Sequence, residues 1–317
     1  MSAPSTSSSS SSGKRTRAST LLDSFASYRT ELDAHYAQRE RIVKLSRDIT
    51  ALSKQLIFAL HRIGSGKSKQ VVFSEVEGKM DELRRLFEKV QGEVRGEDFW
   101  RYERSISPGI QEYLEGFTFY YYLQHHTLPT LAEAQASLLP PPPAPTAAAD
   151  AFSTDASAPS TDTAAAPAPV PVPAPEQDEA PPQPYLLVTV EDYLGGVSDL
   201  TGELMRLAIA SVGRNLSDSL AGAAKGGEGD FANIEYIGNL VRDIKGEMDP
   251  LAMHCRWLPK KLQVLDQSLA KIETASYNLR IRGAEYKDSP AMLQALARKM
   301  ADSGSGARER NEGEVAA

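Results

Sequence analysis

Fourteen of the chain's twenty prolines lie between Leu138 and Pro184, set among Ala, Ser and Thr. Proline lacks an amide hydrogen and clashes with the preceding helical turn, so neither a helix nor an inner strand runs through such a stretch. With little apolar surface to bury, it reads as an extended or disordered insert. This feature divides the 317 residues into two flanks that must either share a core or each build one. The same stretch holds Asp150, Asp155, Asp162, Glu176, Asp178 and Glu179, and neither Lys nor Arg. Setting those six acids aside takes the net charge from −7 to −1, which leaves room for a local basic surface.

Both flanks carry the period of a helix. From Thr20 to Ile63 the apolar positions Phe25, Tyr28, Leu32, Tyr36, Ile42, Leu45, Ile49, Leu52, Leu56, Leu60 and Ile63 mostly step by three or four, predicting one long helix. Val72, Val76, Met80, Leu83, Leu86, Phe87 and Val90 predict a second over Val71–Val90. The segment Arg95–Ser105 leads into a third. Ser107 suits an N-cap and Pro108 a first helical turn, so a kink or restart is expected there. Leu131–Leu138 forms a short turn and Tyr185–Val190 an extended entry. Three more helices are expected over Val190–Val212, Gly229–Met248 and Leu258–Gly283. Alternation at period two is almost absent, which makes the fold class all-α. Neither flank supplies enough helices for its own core, so one helical domain is expected in two parts, 19–137 and 185–303. A Ser-rich tail (1–18), the insert (138–184) and a C-terminal tail (304–317) complete the chain.

Several function classes are disfavoured. The single Cys255 excludes an internal disulfide and a Cys-based zinc cluster, and fits a reducing compartment. No apolar run is long enough for a membrane span, and the N-terminus lacks a hydrophobic signal core. A soluble, intracellular chain is the expectation. Lys14 to Arg17 is basic enough for a nuclear address, although a solvated tail is the commoner meaning. Gly64 to Ser68 resembles a phosphate-binding loop but has His61 where the motif needs glycine, and it follows a helix. It reads as an interhelical loop.

The chemistry concentrates in two helices. ISPGIQEYLEGFTF (Ile106–Phe119) places Glu112 and Glu115 three residues apart on one helical face, beside an apolar stripe of Ile110, Leu114, Phe117 and Tyr121. After the insert, Asp192, Asp199, Glu203 and Arg206 fall on one stripe, with Tyr193, Val197, Leu200, Leu204 and Ala208 on another face. Acids on one helical face are most often its solvated side. Against that stand the aromatic surroundings of Glu112 and Glu115 and the lack of adjoining Lys. If the two helices face each other, their oxygens form a pocket suited to Mg²⁺ or Mn²⁺. A bound ion there polarises a phosphoryl oxygen. Arg104 and Arg206 then serve either as phosphate contacts or as ordinary ion-pair partners. Arg39, Arg41, Lys44 and Arg47 on the first helix read first as a solvated face and second as a guide for a phosphate backbone.

Four stretches carry a family resemblance: YRTELDAHYAQRERIVKLSRDIT (Tyr28–Thr50), GIQEYLE (Gly109–Glu115), VEDYLGGVSDLTGELMR (Val190–Arg206) and KIETASYNLRIRG (Lys271–Gly283). They are similar to the translin family, in its translin-associated factor X branch. The resemblance implies a translin-like helical bundle with a long first helix and a closed hetero-oligomeric assembly with translin. It also implies Mg²⁺-dependent endoribonuclease activity on single-stranded or nicked RNA, with DNA as a further ligand, in cytoplasm and nucleus. Its catalytic carboxylates fall on Glu112, Glu115 and Asp199, with Glu203 a further metal ligand. Translin itself lacks this acidic set. Family roles include trimming the passenger strand in RNA silencing and processing transfer-RNA fragments. The rival expectation is a non-catalytic subunit that stabilises translin and helps bind nucleic acid.

Overall fold

The computed structural model describes residues 17–64, 67–94, 98–138, 186–220 and 234–285, with 289, 291–292 and 295. Within them the chain is helical: α1 (Arg17–Gly64), α2 (Lys69–Glu93), α3 (Asp98–His125), α4 (Leu131–Ser137), α5 (Val190–Leu220), α6 (Ile234–Met248) and α7 (Leu258–Glu285), with a 3₁₀ turn at Asp249–Met253. The all-α expectation holds, with no strand among the described residues. Residues 1–16, 139–185 and 296–317, and the Ser65–Gly66 step of the phosphate-loop lookalike, lie outside the described residues, and α1 takes in Arg17 and Ala18 of the expected tail.

The order of contacts along each helix gives the topology. Arg62 pairs with Glu75, Lys79 bonds to Gln55 and Arg41 to Glu93, so α1 and α2 run antiparallel. Tyr102 meets Gln38, Ser46 meets Ile106 and Gly109, and His61 lies against Phe119, so α1 and α3 run parallel. Ser107 and Gln111 bond to Asp192, and Gln111 and Leu114 lie against Gly195 and Gly196, so α5 runs parallel to α3. The three helices α1, α3 and α5 therefore point the same way. α7 packs on α5 and α6, and the helices before and after the insert share one core.

Close approach within this row depends on glycine. A Cβ on Gly109 would stand 2.9 Å from Ser46 Oγ, and one on Gly196 only 2.6 Å from Leu114 Cβ. A Cβ cannot swing away, so Gly196 lets the α5 backbone lie directly on α3. Register is fixed one turn earlier. Asp192 is buried, and its carboxylate accepts hydrogen bonds from Ser107, from Gln111 Nε2 at 3.0 Å and from Thr189 Oγ1 at 2.9 Å. Thr189 in turn accepts from the Asp192 amide at 3.0 Å, capping α5. α4 opens with a capping box, Thr130 and Glu133. It docks on α3 through Tyr113, whose hydroxyl donates to Ser137 Oγ at 2.9 Å. Gln135 then grips the far side of the insert, donating to the Leu186 carbonyl at 2.9 Å and accepting from the Val188 amide at 2.7 Å.

One local expectation fails, the restart at Pro108. α3 runs through Pro108 without a restart, and the Ser107 hydroxyl serves Asp192 instead of capping a new helix. The stripe on α1 is not buried throughout. Ile42, Ile49 and Leu60 are fully buried, whereas Phe25, Tyr28, Leu32 and Tyr36 are exposed. The cause is length: α2 ends beside Arg41, and α3 reaches α1 only as far back as His35.

Candidate functional site: an acidic seam between two parallel helices

Locking α5 onto α3 brings Asp199 and Glu203 opposite Glu112 and Glu115, and all four carboxylates act electrostatically on one another. Burial holds Glu112 above the ordinary carboxylate range. Lys54 pulls it back, while Asp199 and Glu203 push it further up. Glu115 lies well above that range, first through burial and then through the charges of Glu203, Asp199 and Glu112. Nearby like charges and low local polarity both favour the protonated form, and here they act together.

The two α5 acids have partners. The Lys261 ammonium on α7 donates to Asp199 Oδ1 at 2.6 Å and also to Oδ2. Burial still outweighs this contact and leaves Asp199 raised. Glu203 is buried and is held from two sides, by His61 Nε2 on one oxygen and by Arg206 on the other. Burial pushes it upward, but the His61 hydrogen bond and charge, with Arg206, reverse that and set it below the ordinary range. His61 packs its ring on Phe119 with centroids 4.9 Å apart.

The residues singled out in the sequence thus divide. Glu112, Glu115, Asp199 and Glu203 come together. Asp192, on the same stripe, is instead a buried link between α3 and α5. Arg206 turns to Glu203, and Arg41 forms a two-pronged pair with Glu93 at 2.9 Å. Arg104 and Arg47 are exposed. The cations of the seam were missed: Lys54, His61 and Lys261. Two signals could have found them. Lys54 and His61 are seven residues apart, two helical turns along one face of α1. Lys261 shares a face with Leu258, Leu262 and Leu265, all buried.

Among the described residues, no three His, Cys, Asp or Glu side chains form a group arranged to hold a metal ion. Two of the four acids turn their oxygens to protein cations instead. The donor chemistry nevertheless fits a hard divalent cation. It is all oxygen, and burial with the neighbouring carboxylates raises Glu112 and Glu115, so a cation taken up there would favour their ionised form. No helix of the described residues is long and apolar enough to cross a membrane.

Known proteins resemble this chain over most of its length. The family model described as "Translin family" matches residues 37–283. The chain is 34% identical over 267 residues to Translin-associated protein X of Pongo abelii, covering 84% of this chain and 81% of that protein. The mouse protein of that name (Mus musculus) gives the same figures. The Schizosaccharomyces pombe homolog is 23% identical over 269 residues, covering 84% and 91%. A solved structure described as apo-NeC3PO aligns over 80% of this chain and 94% of its own, at 17% identity and a TM-score of 0.42. By the extent of the family match and the identity to the orangutan and mouse proteins, this chain belongs to the Translin family.

Proposed function

We propose that this chain is the endoribonuclease subunit of an assembly with translin, cutting RNA with the aid of a divalent metal ion. The relatives it matches are named for their association with translin, and the acid seam is where such a subunit would do its chemistry. One observation carries the reading: Glu112 and Glu115 face Asp199 and Glu203 across a largely buried seam, where burial and the facing carboxylates raise both α3 acids. Glu112, Glu115 and Asp199 would hold Mg²⁺ or Mn²⁺, with Glu203 a further ligand directly or through water. When bound, such an ion polarises a phosphodiester and activates water for in-line attack.

The chain's own residues would do the rest. His61 and Arg206 fix the Glu203 carboxylate and keep it ionised at neutral pH. Lys54, exposed beside Glu112, draws the RNA backbone to the seam, and Arg104 and Arg47 extend that pull along α3 and α1. Single-stranded or nicked RNA is the substrate class, with passenger strands of silencing complexes and transfer-RNA fragments as the two candidates, in cytoplasm and nucleus. The test is cleavage of a short single-stranded RNA by the full chain co-purified with translin, with Mg²⁺ and with chelator. Wild-type rates from an assembled Glu115→Ala complex would end this reading.

A second reading has its own support. Asp199 and Glu203 are already paired by Lys261, His61 and Arg206, as they would be in a subunit that only stabilises the assembly and helps bind nucleic acid. That subunit binds RNA and cuts none, with or without metal.

A further inference from the structure

The ammonium of Lys261 lies against the acid seam. Both oxygens of Asp199 bond to it, and its charge reaches across to Glu112 and Glu115 on α3. The turn that carries it is rooted in the core by Leu258, Leu262 and Leu265. The side chain itself is not locked, since 31% of it remains exposed. A lysine head is a compact, strongly hydrated charge on a flexible four-carbon stem, so it can leave a carboxylate for water without disturbing its helix. Glu203 is held differently, by His61 on one oxygen and Arg206 on the other, and its grip does not hinge on one mobile group.

Resting on the reading of the seam as a metal site, we propose that Lys261 is its built-in countercation: in the metal-free chain it holds Asp199, and a divalent ion gains that carboxylate only by displacing it. A cation bound to the same acids would stand within a few ångströms of the ammonium, at a distance where like charges repel strongly in a poorly hydrated site. Lysine and metal are therefore competitors for Asp199. Without the lysine, the acids would repel one another more in the free chain and take up the ion more readily.

The experiment is Mn²⁺ titration of the full-length chain without RNA, read by the electron paramagnetic resonance of free Mn²⁺. Lys261→Met and Lys261→Gln should each tighten binding about tenfold, or ~1.4 kcal/mol. Lys261→Arg keeps the charge and should stay within about threefold of wild type. Lys261→Gln, which retains length and a donor, carries the test if Lys261→Met does not fold by circular dichroism. Binding by the neutral variants equal to or weaker than wild type overturns the proposal. So does an Arg variant tightened as much as the neutral ones. If neither wild type nor the variants bind Mn²⁺, the metal reading of the seam falls, and this inference with it.

Discussion

The acids of α3 and those of α5 meet in one seam but live under different conditions. On α5, Asp199 and Glu203 each have a cation in direct contact. On α3, Glu112 and Glu115 have only the more distant charges of Lys54 and Lys261, and burial and mutual repulsion dominate. A protein that merely needed to hold two helices together would be better served by apolar residues at such positions, because burying charge is costly even when it is paired. Burial and neighbouring carboxylates raise Glu112 and Glu115, so an added positive charge would stabilise their ionised form.

The largest expected effect comes from closing the seam to α5. Gly196→Val would drive a branched side chain into Leu114, and overpacking of a well-filled interface costs about 3 kcal/mol. Chemical denaturation should show the loss, and RNA cleavage should vanish with it. Next comes the α3 pair. Glu112→Ala or Glu115→Ala should lower single-turnover cleavage about a hundredfold or more in an intact assembly, as loss of an essential charged group does. Glu203→Gln probes the compensated side. It should cost about tenfold in cleavage: the amide oxygen still accepts from Arg206, while its nitrogen, a donor, replaces the second acceptor oxygen.

A smaller effect is a gain. Because Glu115 is raised in the folded chain, folding retains a proton that the unfolded chain has already lost. Its stabilising contribution is thus present below the ordinary value of 4.5 and is lost as pH rises through the folded value. Removing the charge with Glu115→Gln should raise the thermal midpoint of the metal-free chain by about 3 °C at mildly alkaline pH. At acid pH below 4.5 the gain should disappear, and a gain of the same size there would show that repulsion is not its cause.

How much of this could be read beforehand depends on how far apart in the chain the partners lie. Helical period alone put Glu112 with Glu115 and Asp199 with Glu203, because residues three or four apart share a face whatever surrounds them. The family resemblance joined the two pairs. The cations were invisible for the opposite reason: His61 lies 142 residues from Glu203, and Lys261 lies 62 from Asp199. Only packing brings them together, and a lone lysine or histidine on a helix has many more ordinary uses. The mistaken restart at Pro108 has the same origin. Ser107 has the chemistry of a cap, but a buried aspartate across the interface claims its hydroxyl. Likewise Phe25 and Leu32 follow the same rhythm as Ile42 and Ile49, and rhythm does not say where the neighbouring helices stop.

One glutamine decides how tolerant the whole arrangement is. Gln135 clasps the strand-like entry to α5 by both ends of its amide, so the chain that leaves α4 and the chain that arrives at Leu186 are fastened at a single point. Whatever is threaded between those two points is tethered at a common anchor, and the free energy of closing such a loop changes by only about 0.6 kcal/mol for each doubling of its length. The proline-rich stretch can therefore lengthen, shrink or be exchanged over evolutionary time while Asp199 and Glu203, farther along α5, stay in place.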